Sequence, residues 1–166
     1  VYPETLDTPY PYTEDGMRRY DENSEFPDPW VLAAALSSVT QRLRFTTNVY
    51  VLPMRNPFIA AKQIATAAAL SNNRVTLAVG VGWSKIEFEL LGQSFARRGA
   101  RADEMLEVMK KAWTGEWITH QGEFYEFERL KLTPPIPTSP IPVWVGGISN
   151  FALRRAARND GWLSDL

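Results

Sequence analysis

Three segments of the chain share one pattern, a short run of β-forming residues that ends in Gly, Pro or Asn. They begin at Leu43 (LRFTTNVYVLPMRNP), Arg74 (RVTLAVGVGW) and Ile141 (IPVWVGG). The first and third lead directly into a helical pattern, which is typical of parallel βα units. Parallel barrels and doubly wound sheets carry their functional groups in the loops after the strands. The Gly- and Pro-containing loops are therefore the first candidates for a site.

The composition predicts one globular domain, because 45% of the 166 residues are hydrophobic and only 22% are charged. A formal net charge of −1 provides no broad field to attract nucleic acid or a membrane surface. The chain has no cysteine and one histidine, which excludes disulfides and thiolate nucleophiles and argues against a metal site. It shows no long apolar run and no signal peptide. We expect a soluble protein, and the lack of cysteine fits the cytoplasm.

The alternation of β-forming and helical stretches predicts a mixed α/β order. Residues 1–29 contain many prolines and acids and are expected to form a long ordered loop, with Asp28 and Asn56 as N-caps of the helices that follow. The continuous apolar run VTLAV indicates a strand covered on both faces. Helices are expected over 30–39, 57–70, 98–113 and 151–159, strands over 43–51, 75–79 and 143–145 and from Trp162, and a β-hairpin over 117–127 around Gln121-Gly122.

This order of elements fits either an open sheet or about half of a closed barrel, because a (β/α)₈ barrel needs eight strands and roughly 200 residues or more. The chain starts at Val1, in what reads as a loop just after a strand, and stops at GWLSDL, in what reads as the opening of another strand. We therefore expect a piece of a longer fold.

Two glycine loops stand at predicted strand ends. Gly80-Val81-Gly82 lacks the third glycine of the dinucleotide-binding fingerprint, which argues against a dinucleotide site and favours two glycines that only permit a tight turn. Gly146-Gly147 precedes Ser149 and a helix start, where exposed amides and the helix dipole favour an anion. The simpler interpretation of the second loop is a glycine turn with Ser149 or Asn150 as the helix N-cap.

The remaining polar candidates carry weaker arguments. His120, at the predicted hairpin turn, is interpreted as a solvated surface residue, and no triad supports it. Glu87 and Glu89 are two positions apart on a helix and do not share a face, which argues against a paired-carboxylate site. The basic groups at 97–101 and 154–158 are interpreted first as solvated charges and second as anion contacts; they comprise Arg97, Arg98, Arg101, Arg154, Arg155 and Arg158.

Without a nucleophile, a metal site or an acid–base pair, the chain suits an enzyme whose bound cofactor performs the reaction. Its segments also match a known family, in order: TNVYVLPMRNPFIAAKQIAT, NRVTLAVGVGWSKIEFELLG, ARRGARADEMLEVMKKAW, GEFYEF and PIPVWVGGISNFALRRAARNDGW. Together they resemble the bacterial luciferase-like monooxygenases, and in particular the oxidoreductases that depend on the deazaflavin coenzyme F-420. The likeness extends from Pro27 to the end, and YPYTEDG also resembles that branch.

The resemblance implies a (β/α)₈ barrel of the bacterial luciferase-like type, present here as about strands 3 to 5 with their helices, in one domain over residues 1–166. It also implies hydride transfer between the deazaflavin and a small organic substrate. A non-prolyl cis peptide at Asn48-Val49 is expected to back the central ring of the cofactor. Its ribityl and phosphate portion is expected near Gly80, Val81, Gly82, Gly146, Gly147, Ile148 and Ser149. Catalytic residues are not identified.

One departure from the family concerns the substrate. Sugar-phosphate dehydrogenases of the family carry a glutamate proton donor just after the second Gly-rich loop, and Trp83 stands there in this chain. This argues against a sugar-phosphate substrate. Trp83 and the loop from Tyr2 to Tyr12 are instead expected to form the substrate side of the pocket.

Two alternatives remain open at the level of sequence. The first keeps the fold but uses FMN and molecular oxygen, as a monooxygenase. The second is a truncated relative without catalytic activity that serves as a flavin-binding or assembly module. The open strand edges of half a barrel must be covered, so we expect a homodimer that associates through helices.

Overall fold

A parallel sheet lies at the centre of the computed structural model, which describes residues 2–164. Strand β3 (Val75–Gly80) is its middle, with β1 (Phe45–Thr46) and β2 (Tyr50–Val51) on one side and β6 (Val143–Gly146) on the other. Strand β7 (Gly161–Leu163) extends the sheet beyond β6. Every pairing within this sheet is parallel. The predicted βα units, including the strand around Trp162, are confirmed.

The first strand position is interrupted where the sequence predicted one continuous strand over 43–51. Segments β1 and β2 both pair with β3, and residues 47–49 between them leave the ladder. This break would leave the Ala78 amide and carbonyl without a backbone partner on the side of β1 and β2. The buried hydroxyl of Thr47 compensates, because it donates to the Ala78 carbonyl at 2.7 Å and accepts from the Ala78 amide at 3.1 Å.

Five helices accompany the sheet within residues 2–164. They are α1 (Pro29–Val39), α2 (Pro57–Leu70), α3 (Lys85–Leu90), α4 (Arg98–Ala112) and α5 (Asn150–Ala156). The predicted caps are confirmed, since Asp28 accepts from Trp30 and Val31 and Asn56 accepts from Phe58 and Ile59.

All six residues of β3 are buried, as its apolar run predicts. Val75, Leu77 and Val79 pack into the core with α2 and α4, so by strand alternation Ala78 and Gly80 lie on the opposite face. Gly80, at the carboxyl end of the strand, leads into the first glycine loop.

A hairpin leaves the sheet after α4. Its strands are β4 (Ile118–Gln121) and β5 (Glu126–Leu130), so the turn lies over residues 122–125 instead of at Gln121-Gly122 as predicted. Residues 2–28 contain no helix or strand, as expected for the long loop. Val1 and the last two residues of the GWLSDL segment lie outside the described range. None of the helices within residues 2–164 has the length and apolar character needed to cross a bilayer.

Candidate cofactor site at the carboxyl end of the sheet

Val49 lies across the ends of two neighbouring strands. The Asn48-Val49 peptide is cis, as the family resemblance implied. Gly80 and Gly146 follow the paired residues Val79 and Val145, so the two glycines are neighbours at the edge of the sheet. A methyl group on Gly146 would lie 2.5 Å from Val49 Cγ1, and one on Gly80 would be closer still to Cγ2. Only glycine at both positions leaves room for Val49, and the three residues form what we call the Val49 platform.

The loop after β3 is held in place by contacts from three directions. Gly82 has φ +77, and a side chain there would meet Val51 at 2.7 Å and Phe88 at 2.8 Å. Its carbonyl accepts a hydrogen bond of 2.9 Å from Arg98 Nε. The next hydroxyl, on Ser84, is fully buried and has no hydrogen-bond partner among the described residues. This loop is therefore a preformed turn with one polar group still to be satisfied.

The loop after β6 lies beside the same platform. Gly147 has φ +106, and its carbonyl accepts from Trp162 Nε1 at 2.8 Å. Ser149 is the N-cap of α5, with its Oγ accepting from the Ala152 amide at 3.2 Å. Ile148 is 68% exposed. The structure thus brings both glycine loops to one edge of the sheet, next to Val49.

An aromatic cluster adjoins this edge. Its members are Tyr2, Tyr10, Tyr12, Tyr20, Phe26 and Trp83. Tyr10 packs edge-on against Trp83 with ring centroids 5.4 Å apart, and against Tyr20 at 6.0 Å. The contact between the loop of residues 2–12 and Trp83 therefore exists, whereas its role toward a substrate stays a prediction.

The two glutamates of α3 have different surroundings. Glu89 is exposed and pairs with Lys85 at 3.2 Å. Glu87 is half-buried, and this burial raises the pKa of its carboxyl, with the charge of Asp7 acting in the same direction and Arg18 opposing it. Burial, followed by the charge of Glu87, raises the pKa of the Tyr20 hydroxyl, so Glu87 acts on a member of the aromatic cluster.

The interpretation of His120 as a solvated residue is wrong. His120 lies in β4, is 7% exposed and stacks on Phe127. Its Nδ1 is 3.2 Å from the Lys111 ammonium, which can only donate, so Nδ1 accepts and Nε2–H points to Glu104 Oε1 at 3.3 Å. The sequence did not identify Glu104 as a candidate residue, since its hydrogen-bond partners lie 16 or more positions away.

A cavity of about 720 Å³ borders this His120–Glu104 contact, between α4 and the hairpin. Five of its twelve lining residues are acidic, and none of the twelve belongs to either glycine loop. No group of metal-ligating side chains capable of holding an ion is present in the part of the chain that the structure describes. The cavity is therefore not the site that the sequence indicated.

The solvated interpretation of the arginines is also wrong for three of them. Arg101 is 6% exposed and donates to the carbonyls of Pro53 and Ser94. Arg155 is 5% exposed and forms a 2.5 Å ion pair with Asp103. Arg98 is partly buried against Gly82, as described above. The exposed members are Arg97, paired with Glu123, together with Arg154 and Arg158.

The packing of the Val49 platform can be tested by a double-mutant cycle. Gly146→Ala is expected to lower the free energy of unfolding by about 1–3 kcal/mol, because the new methyl group overlaps Val49. In the Val49→Ala background the Val49 methyl groups are absent, so Gly146→Ala no longer creates an overlap. We therefore expect Gly146→Ala to cost about 1 kcal/mol or more less unfolding free energy in that background than in the wild type. Urea unfolding of the four proteins measures it. Strictly additive effects would show that the two side chains do not compete for this space.

Comparison with known proteins gives a consistent result. The profile of the luciferase-like monooxygenase family matches residues 6–166. An uncharacterized protein of Mycobacterium tuberculosis (strain H37Rv) is 48% identical over 163 residues, covering 98% of this chain and 56% of that protein. The chain thus spans little more than half the length of this curated relative.

Relatives with stated activities differ in their cofactor. An F420-dependent glucose-6-phosphate dehydrogenase of Amycolatopsis mediterranei is 32% identical, over 81% of this chain and 42% of that protein. An FMNH(2)-dependent dimethylsulfone monooxygenase of Pseudomonas fluorescens is 30% identical, over 77% and 35%. Among solved structures, an F420-dependent secondary alcohol dehydrogenase superposes with a TM-score of 0.73 at 23% identity, over 87% of this chain and 45% of that one. The last likeness identifies the fold, a luciferase-like TIM barrel of which this chain carries part.

Proposed function

The chain belongs to the luciferase-like monooxygenase family, and on that premise we propose that it takes part in hydride transfer between coenzyme F-420, a deazaflavin, and a small organic substrate. The observation that carries the proposal is the Val49 platform. A side chain spread over two adjacent glycines presents a smooth apolar surface at the carboxyl edge of a parallel sheet, where this class of fold binds ligands.

The residues present fit a flat cofactor with a phosphate-bearing tail. Asn48 and Val49 would back the ring. The backbone of Gly80, Val81 and Gly82 would hold the ribityl portion, and that of Gly146, Gly147, Ile148 and Ser149 the phosphate. The buried, unpartnered Ser84 hydroxyl beside the first loop is an additional polar group suited to a ligand. When bound, the deazaflavin supplies the carbon that accepts or gives up the hydride.

The protein's own contribution is position and environment. Val49, held against Gly80 and Gly146, limits how closely a ring can approach the sheet. Arg98 fixes the Gly82 carbonyl and thereby the course of the first loop. Trp83, packed on Tyr10, would keep water from the opposite side of the ring.

FMN is the second candidate cofactor. It is favoured by the 30% identity to an enzyme named for FMNH(2). The platform and the two loops suit either flavin, since both have a tricyclic ring, a ribityl chain and a phosphate. In that case the chain would belong to a monooxygenase, and oxygen consumption with reduced flavin would be its assay.

A parallel titration with coenzyme F-420 and with FMN, followed by cofactor fluorescence, tests the proposal. Tight binding of the deazaflavin alone is the expected result. Preference for FMN would move the assignment to the monooxygenase. Binding of neither would contradict both and would favour a non-catalytic assembly module.

A further inference from the structure

Ser84 and Glu87 have the spacing of a capping box. In that motif the hydroxyl of a helix N-cap residue and the carboxylate three positions later each accept from the other residue's backbone amide. Ser84 is the N-cap of α3, but its side chain accepts from none of the helix amides. Its hydroxyl is fully buried and has no hydrogen-bond partner among residues 2–164. The pair therefore does not make the exchange that the sequence would allow.

The Glu87 carboxyl also keeps its capacity to accept. No hydrogen bond from another described residue reaches it, and burial raises its pKa, with the charge of Asp7 acting in the same direction and that of Arg18 opposing it. Lys85 and Glu89, by contrast, are exposed and pair with each other on another side of α3. Glu87 is therefore the half-buried carboxyl of this helix, and its local partner does not occupy it.

Arg18 contributes an unpaired donor to the same region. Its Nη2 donates to the carbonyl of Pro3, whereas its Nη1 is buried and has no partner in the part of the chain that the structure describes. The guanidinium lies 4.1 Å above the Tyr2 ring. Its charge acts on Glu87, yet the two side chains form no ion pair with each other. A donor and an acceptor of opposite charge therefore each retain hydrogen-bonding capacity for another partner.

Tyr20 connects these two groups to the aromatic cluster, since the charge of Glu87 acts on its hydroxyl. Its ring packs edge-on against Tyr10, with centroids 6.0 Å apart, and Tyr10 packs against Trp83 at 5.4 Å. Trp83 follows the first glycine loop and directly precedes Ser84. The unpaired donor and acceptor therefore adjoin the residues that we expect on the substrate side of the cofactor site.

We propose that Glu87 and Arg18 together bind a hydroxyl group of the substrate. A hydroxyl both donates and accepts, so it can donate to the Glu87 carboxylate while its oxygen accepts from Arg18 Nη1. A ketone of the same shape only accepts and leaves the carboxylate unpaired. The site is therefore selective for an alcohol over the corresponding ketone. The inference rests on the proposed function, because it takes this region as the substrate side of the cofactor site.

The test compares cyclohexanol with cyclohexanone, which have the same ring and differ in the hydroxyl hydrogen. The chain is labelled with 5-fluorotryptophan, and the ¹⁹F resonance of Trp83 is identified by its loss in Trp83→Phe. Trp117, exposed on the hairpin and in contact with Arg129, serves as an internal control. Both ligands are titrated at mildly alkaline pH, so that the Glu87 carboxyl is charged, and without any cofactor.

We expect cyclohexanol to shift the Trp83 resonance at about tenfold lower concentration than cyclohexanone and to leave that of Trp117 unchanged, because only the alcohol donates to the carboxylate. In Glu87→Gln the amide can both donate and accept, so the two ligands should bind about equally. Glu89→Gln makes the same change at the exposed position of α3 and should keep the tenfold preference.

Equal affinity for the two ligands in the unsubstituted chain would overturn the inference, and so would the absence of any Trp83 shift with cyclohexanol. A preference that survives in Glu87→Gln, or that is lost equally in Glu89→Gln, would also overturn it. The first comparison needs no variant, so it decides the matter even if Glu87→Gln does not fold. If cyclohexanol is preferred but neither flavin binds, the proposed function fails while the hydroxyl site stands. If a flavin binds and the alcohol is not preferred, only the hydroxyl site fails.

Discussion

Replacing Glu104 with alanine is expected to lower the free energy of unfolding by about 3 kcal/mol, because a buried carboxylate serving several donors is lost. The Glu104 side chain is 12% exposed. It accepts from the amides of Glu123 at 3.1 Å, Phe124 at 3.0 Å and Tyr125 at 2.7 Å, and it receives His120 Nε2–H. Without it, these donors on the hairpin are left unpaired next to α4. Urea unfolding measures the loss.

Glu107→Ala is the matched control, one turn along the same helix. Its carboxylate is 57% exposed and pairs with Lys111, so its removal should cost less than about 0.5 kcal/mol. Glu104→Gln should fall between the two, because the amide keeps one acceptor oxygen but not the charge. If Glu104→Ala and Glu107→Ala lowered the free energy of unfolding by similar amounts, the contact between Glu104 and the hairpin turn would contribute little to stability.

The parts of the fold that sequence predicted correctly are encoded locally. Asp28 and Asn56 cap helices by accepting hydrogen bonds from amides two and three positions away. The continuous apolar run over 75–79 is enough to predict that this strand is buried. Such signals lie within a few residues, so a single sequence contains them. The glycine loops were found for the same reason.

The errors concern charged and polar residues whose partners are distant in the chain. Arg155 looks like part of a solvated basic helix until α4 brings Asp103 to it from 52 positions away. The buried guanidinium of Arg101 donates to the carbonyl of Pro53, 48 positions away. His120 has its carboxylate partner on another element. A charge can be buried only when such a partner exists. The sequence near these residues does not indicate the partner.

The interruption of the first strand is an intermediate case. The resemblance to the family implied an irregularity at Asn48-Val49, but the residues alone predicted an unbroken strand. Two features make the interruption possible. The Thr47 hydroxyl hydrogen-bonds the Ala78 backbone, and the neighbouring glycines Gly80 and Gly146 leave room for Val49. Each is visible only once the neighbouring strands are placed side by side.

Gly147→Val is expected to lower cofactor affinity by about 100-fold or more, equivalent to about 2.7 kcal/mol of binding free energy. The backbone at Gly147 has φ +106, which a β-branched residue does not adopt without strain, and a Cβ would lie 3.3 Å from Ala152. The loop must shift to accept valine. Its amides, which we propose to hold the phosphate, shift with it.

Gly92→Val separates this local effect from the general cost of a side chain at positive φ. Gly92 has φ +66, nothing lies within 4 Å of its Cβ position, and it follows α3 rather than β6. Both variants should lose some stability. Only Gly147→Val should also lose affinity for coenzyme F-420 in the fluorescence titration. Circular dichroism establishes that each is folded, and Gly147→Ala provides a milder change if valine prevents folding. Normal cofactor binding by a folded Gly147 variant would remove this loop from the site, since the positions of its amides are what the phosphate would require.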